Sequence, residues 1–333
     1  MKGPFWNNYK NKRKILESLS NYCFLSYGIL SFSQGGKELK HYLGDGMLLI
    51  TAIVWGSGFV VTDIALQYLT PYQVMAGRFV LATLLLTLTF GYKFKTFTKS
   101  VWWKGTILGT FLFLAFVLQT VGLQHTTPSK NAFLTAVNVV IVPIIAYLLY
   151  KRKIDRFEMV GSVIAIVGIG LLSLQSSMTL NFGDVLSLAC AVAFAFDIFY
   201  TNLFIKEEDP ISVTIVQFIT ASLLSVVVVL IKGDIPTSLE SEGIYSILYL
   251  AVFSTTIAYL FQNKAHKYTT ASKAAIILST ESFFGMLFSV LFLHEVLTAR
   301  MVTGAVLIMV AILIAELKPS FIKKQSVKKT YEK

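Results

Sequence analysis

From Asp45 onward the sequence is a succession of ten apolar runs, each close to twenty residues long and separated by short polar punctuation. They cover approximately 46–66, 71–91, 104–123, 130–150, 156–175, 184–204, 211–231, 244–263, 273–293 and 297–316. A helix of ~20 apolar residues, rising ~1.5 Å per residue, crosses the hydrocarbon core of a bilayer. An aqueous fold could not bury this much apolar surface: hydrophobic residues make up 55% of the chain and charged residues only 14%. The fold class is therefore an all-α integral membrane protein with ten transmembrane helices. Short loops make consecutive helices antiparallel. Pro71, Pro128 and Pro210 open helices, where the missing N–H costs nothing, whereas Pro143 lies inside the fourth run and predicts a kink there.

Charge supplies a direction. With the N-terminus in the cytoplasm, 25 of the 29 lysines and arginines fall on the cytoplasmic side. Only Lys130, Lys232 and Arg300 lie opposite, and Arg78 is inside a run. This asymmetry is the positive-inside pattern, and it puts both termini in the cytoplasm, with a bacterial cytoplasmic membrane as the expected location. The net charge of +11 then reads as topology plus attraction to anionic lipid, and no nucleic-acid partner is expected. Cys23 and Cys190 are far apart without ligand spacing. The histidines His41, His125, His266 and His294 sit at run ends or in loops, with no second ligand at metal spacing. No cofactor, metal or catalytic residue is expected, and the chain is not read as an enzyme.

The last five runs repeat the first five. Gly44-Asp45 recurs as Gly183-Asp184, and at the same offset of 139 Thr62, Pro71 and Phe79 match Thr201, Pro210 and Phe218. After the loop that follows the second run the offset becomes 143. There Thr126-Thr127-Pro128-Ser129-Lys130-Asn131-Ala132 matches Thr269-Thr270-Ala271-Ser272-Lys273-Ala274-Ala275, Gln119 matches Gln262, and Gly161 matches Gly304. An odd number of helices per repeat forces the halves into opposite orientations. That is the inverted-repeat plan of secondary transporters, with a site near mid-bilayer. The division is 1–44 as a cytoplasmic extension, 45–175 and 183–317 as the two repeats, and 318–333 as a basic cytoplasmic tail.

Five fragments then carry a family resemblance: Trp55-Gly56-Ser57-Gly58-Phe59, Arg78-Phe79, Thr280-Glu281-Ser282, His294-Glu295-Val296-Leu297-Thr298, and Gly304. In this order on ten runs, the sequence resembles the EamA group of the drug/metabolite transporter superfamily across about residues 37–318. Ser282 and His294 depart from it, standing where the family often has proline and glycine. The resemblance implies a bundle of two inverted five-helix repeats that moves a small metabolite (an amino acid or similar, or a toxic compound), commonly as an exporter. A uniporter or channel-like pore is the alternative, and a membrane enzyme a more distant one.

Ionisable and amide groups inside membrane helices usually face a bundle interior or an aqueous cavity. Asn138 and Glu281 each lie eight residues into a helix, ~12 Å deep, and the repeat relates them at an offset of 143. They are the first choice for a substrate cavity, with Gln119 and Gln262 second. Glu281 is also the candidate for carrying coupled protons, since low dielectric favours a neutral carboxyl group. Trp55 and Phe194 are repeat mates able to stack on a substrate, and Asp197, with Tyr200 one turn on, is a further cavity candidate. Asp63 and Arg78 lie at comparable depths and are expected to form an intramembrane ion pair; their repeat partners Asn202 and Gln217 would make an amide contact. The partners expected are a small-molecule substrate, the lipid bilayer and, as an open case, protons and a second copy of the chain in a homodimer. The segment before Asp45 fits none of this. Gln34-Gly35-Gly36 can be encoded by a sequence resembling a bacterial ribosome-binding site, with Leu39 suitably placed as a TTG start, so residues 1–38 need not be natively translated.

Overall fold

The computed structural model describes residues 42–173, 181–236, 240–265, 268 and 271–317; the proposed start at Leu39 lies outside these. Among the described residues ten helices are long and apolar enough to cross a membrane: α1 (Tyr42–Ala65), α2 (Pro71–Thr96), α3 (Lys99–Leu123), α4 (Pro128–Tyr150), α5 (Arg156–Ser173), α6 (Phe182–Phe204), α7 (Pro210–Lys232), α8 (Ser241–Ala265), α9 (Lys273–Leu293) and α10 (Ala299–Leu317). Their starts are chemically marked. Thr70 caps α2 in a reciprocal capping box with Gln73, and Thr98 caps α3, so α3 begins five residues before the apolar run does. Thr127, Asn181 and Asp209 cap α4, α6 and α7 through their side-chain oxygens, each satisfying amides that a helix end leaves orphaned.

The repeat appears as packing. α2 lies against α7, α4 against α9, and α5 against α10, each helix meeting its own counterpart. α3 packs on α6 and α7, while α8 packs on α1 and α2, the mirror arrangement. Phe79 and Phe218, both fully buried, touch edge to face at 6.0 Å, so the pseudo-twofold axis passes between them. Around it the contacts come in pairs: Phe79–Phe116 answers Phe218–Tyr259, and Trp55–Tyr259 answers Phe194–Phe116. Close approach of α3 to α7 needs glycine. A Cβ on Gly109 would stand 2.5 Å from the Gln217 carbonyl oxygen; Gly105 and Gly109 form a GxxxG, a spacing that lets helices approach closely.

Three irregularities matter for the site. α4 breaks at Val137 and resumes at Asn138; α9 breaks at Thr280 and resumes at Glu281. The breaks occupy equivalent positions, yet only α4 contains a proline, and Pro143 lies beyond the break rather than at it. The shared cause is a tightened turn, in which the Val137 and Thr280 amides bond three residues back, to Leu134 and Ile277. The Thr280 hydroxyl also bonds the Ile277 carbonyl, a competition that bends helices. The third irregularity is a π-helical stretch in α8, Leu250–Ile257. There the Thr255 and Thr256 hydroxyls reach five residues back, to the carbonyls of Leu250 and Ala251.

Candidate functional site

A cavity of about 390 Å³ lies between the two repeats, within the usual size range of small-molecule sites. Both helix breaks open onto it. Asn138 and Glu281, the first residues after them, line it, at the positive N-terminal ends of half-helices. Among the described residues no protein group hydrogen-bonds either side chain. Trp55, Gln119, Phe194, Asp197 and Gln262 line the same space. The sequence rule that polar groups inside membrane helices face an interior thus brings five of the residues it selects, Asn138, Glu281, Gln119, Asp197 and Gln262, to one place, with the aromatic repeat mates Trp55 and Phe194 beside them.

Tyr200 is not among them. It lies in a stack with Phe111, Phe196 and Phe204, outside the cavity lining.

The expected Asp63–Arg78 ion pair is not formed. Arg78 is only 5% exposed, and its Nε donates to Thr255 Oγ1 at 2.5 Å while Nη2 donates to Ser254 Oγ at 3.1 Å. Its guanidinium lies over the Phe116 ring, 4.2 Å from the centroid. Asp63 lies instead in the field of Glu295, away from the cavity. The Asn202–Gln217 contact is absent too. Asn202 bonds the Ile198 carbonyl of its own helix, and Gln217 Nε2 donates to Asp197 Oδ1 at 2.9 Å.

Around Arg78 the cavity is aromatic. Trp55 meets Tyr259 edge to face at 5.4 Å and donates its indole N–H to the Ser254 carbonyl at 2.8 Å, while Phe116 meets Phe194 at 5.2 Å. Tyr259 lies in the fields of Arg78, Asp197 and Glu281. Tyr259, Phe116, Ser254 and Thr255 were missed in the sequence. The first two had a signal, because Tyr259 is Phe116 displaced by the repeat offset of 143; Ser254 and Thr255 had none. Gln119 donates to Thr135 Oγ1 at 3.2 Å and Asn263 to Thr214 Oγ1 at 2.9 Å, which fixes the walls.

The cavity extends to one face of the bundle. Asn202, Ile205, Pro210, Arg152, Glu158 and Glu316 line it there, on the side where the lysines and arginines concentrate. On the other face α4 and α9 are tied together. Glu295, beyond the end of α9, accepts from the Ser129 amide at 3.3 Å, from the Ser129 hydroxyl at 2.7 Å, and from the Ser289 hydroxyl. The cavity lining thus reaches one face of the bundle while Glu295 ties α4 to the end of α9 at the other, with no cluster of metal-ligating side chains among the described residues.

Comparison with known proteins agrees with this geometry. A solved crystal structure superposes with a TM-score of 0.58 at 12% identity, over 83% of this chain and 96% of that one, which is a likeness of fold. An uncharacterized transporter of Archaeoglobus fulgidus is 34% identical over 90% of this chain and 94% of its own length. A probable amino-acid metabolite efflux pump of Salmonella typhimurium is 27% identical over 81% of this chain and 94% of its own. The EamA-like transporter family matches twice, over residues 42–174 and 181–317, once for each repeat. Ten spanning helices, a doubled match and a central cavity lead to one conclusion: the chain belongs to the EamA-like transporter family.

Proposed function

We propose that the chain exports a small metabolite, an amino acid or similar compound, across the bacterial cytoplasmic membrane by alternating access, with protons as the coupling ion. The observation that carries this reading is the cavity on the pseudo-twofold axis, lined by Asn138 and Glu281 at equivalent helix breaks. Two halves of like structure can exchange conformations at little cost, so one central site can face either side in turn. The charge asymmetry makes the lysine- and arginine-rich face cytoplasmic. The cavity then faces the cell interior, the side from which an exporter loads. The efflux function named for the Salmonella typhimurium relative supports the direction and the class of solute. Glu281 supports the coupling, being a carboxyl group in the cavity that, among the described residues, has no protein hydrogen bond, with Tyr259 and Cys190 as titratable neighbours in its field.

Untargeted measurement of intracellular and extracellular metabolites in deletion and overexpressing cells tests this. Overexpression should lower one intracellular solute and raise it in the medium, and deletion should do the reverse. An unchanged profile in both strains, with the protein confirmed in the membrane, would refute the exporter reading. Vesicle flux measured with and without a pH gradient then tests the coupling.

A further inference from the structure

The two repeats treat one equivalent position differently. In the second repeat, Gln217 of α7 hydrogen-bonds Asp197 of α6. In the first, the residue equivalent to Gln217 is Arg78, and the residue equivalent to Asp197 is Gly58. The chain thus supplies a carboxylate to the neutral amide and none to the guanidinium. The space beside Gly58 is taken by a hydroxyl, with Ser254 Oγ 2.9 Å from where a Cβ on Gly58 would stand. Among the described residues no carboxylate lies within ion-pair distance of Arg78, although the side chain is buried and lines the cavity.

A guanidinium carries five N–H donors, arranged as a planar fork. In Arg78 one donor on Nε and one on Nη2 are used, by Thr255 and Ser254. Three remain, two on Nη1 and one on Nη2, which is the edge that takes a carboxylate in two parallel hydrogen bonds. Phe116 covers one face of the group, holding its plane. Thr255 is itself held by the Leu250 carbonyl in the π-helical stretch, so the fork is positioned from three sides. A buried cation served only by neutral groups is costly unless an anion completes it.

We propose that Arg78 is the binding site for a carboxylate of the transported solute, and that the solute body lies against Trp55, Phe116, Phe194 and Tyr259. This rests on the transporter reading above and adds to it the group that recognises the solute's carboxylate. The three remaining N–H donors match one planar carboxylate, and among the described residues no second cation lies beside the fork to favour a phosphate dianion. Asp197 and Glu281 face the same cavity, so a solute that also bears an amino group finds acceptors there. The site selects an amphoteric, partly apolar carboxylic acid over the corresponding amide or amine.

The test uses the purified full-length protein in detergent, with benzoate and its neutral isostere benzamide as probes and the melting temperature as the readout. Benzoate should raise the melting temperature saturably, and benzamide should not. Arg78→Gln should weaken the benzoate effect by roughly tenfold or more in concentration, and Arg78→Lys, which keeps the charge but loses the fork, should fall between. Equal responses to benzoate and benzamide in the wild-type protein would overturn the proposal, as would an undiminished benzoate response in Arg78→Gln. The wild-type comparison decides alone if neither variant folds. The two readings fail separately: a benzoate effect in a protein that exports no metabolite removes the transporter reading, and export without benzoate preference removes the carboxylate site.

Discussion

Lys130 of the first repeat meets Asp184 of the second at 3.5 Å, and the equivalent residues, Lys273 and Asp45, meet at 2.5 Å on the opposite face of the bundle. The same contact is therefore made twice, once across each entrance. The two copies differ in exposure. The Asp184 side chain is fully buried and also accepts from the Thr126 hydroxyl, whereas Lys273 is about half exposed. That is the difference expected between a closed entrance and an open one. Asp184→Asn should therefore destabilise the protein by about 3 kcal/mol, as loss of one partner from a buried pair does. Asp45→Asn should cost about 1 kcal/mol or less, as for exposed pairs. Thermal melting of the two variants in detergent checks this, and equal losses would contradict the assignment of the closed face.

Glu281 makes a prediction about driving force. If it carries protons inward as solute leaves, an acidic exterior accelerates efflux in the wild-type protein. A gradient of one pH unit corresponds to about 1.4 kcal/mol, hence at most about a tenfold solute concentration ratio sustained by one proton per solute. Glu281→Gln has no exchangeable proton there, so its flux with and without the gradient should be the same while solute exchange at equal pH persists. Tracer flux in proteoliposomes measures both, and a mutant with wild-type pH dependence would move coupling to another group.

Helix contact across the axis of α5 and α10 depends on missing side chains. A Cβ on Gly304 would stand 2.7 Å from the Leu172 amide nitrogen and 2.8 Å from the Gly168 carbonyl oxygen, backbone atoms that cannot turn away. Gly304→Ala should therefore cost about 1–3 kcal/mol. Gly46→Ala is the control, with nothing within 4 Å of the new methyl. Size-exclusion yield and melting temperature should fall for the first and hold for the second.

Asp209 predicts an effect of pH on stability rather than on transport. Burial opposes its ionisation. Hydrogen bonds from Lys93 and from the Ser212 amide and hydroxyl outweigh that, holding the carboxyl group below its ordinary value of 3.8. A group with a lowered folded value contributes stability above pH 3.8 and loses it as the pH falls further. Asp209→Ala should thus cost about 1 kcal/mol at neutral pH, as loss of an N-cap does, and the difference from wild type should shrink below that pH. Asp209→Asn, which can still cap α7, should lose much less. Melting curves from pH 3 to 7 would show it.

Much of the architecture is legible in the sequence, because the signals are long and redundant. Ten apolar runs cannot be hidden, and a repeat with offsets of 139 and 143 aligns whole helices. The membership of the cavity was legible for a related reason: Asn138, Asp197 and Glu281 are polar where lipid would not tolerate them. The partner of Arg78 was not. Counting residues from a helix end gives depth but not direction around the helix. Asp63 and Arg78 share a level, yet Asp63 lies in the field of Glu295 and Arg78 faces α8. The π-helical stretch that brings Ser254 and Thr255 to Arg78 has no local sequence signature that the hydrophobic pattern would display. Pro143 accompanies a break in α4 that lies six residues before it, and α9 breaks at the equivalent position without any proline.

The π-helical stretch in α8 also changes how that helix is indexed. One residue accommodated without lengthening the ladder turns everything after it by about 100° relative to everything before. Tyr249, ahead of the stretch, consequently meets Ser57 of α1, while Tyr259, Gln262 and Asn263, behind it, point into the cavity. α8 is a helix with two phases, each serving a different neighbour. Removing a single residue between Leu250 and Ile257 would leave its hydrophobicity nearly unchanged and still rotate a tyrosine and two amides out of the cavity.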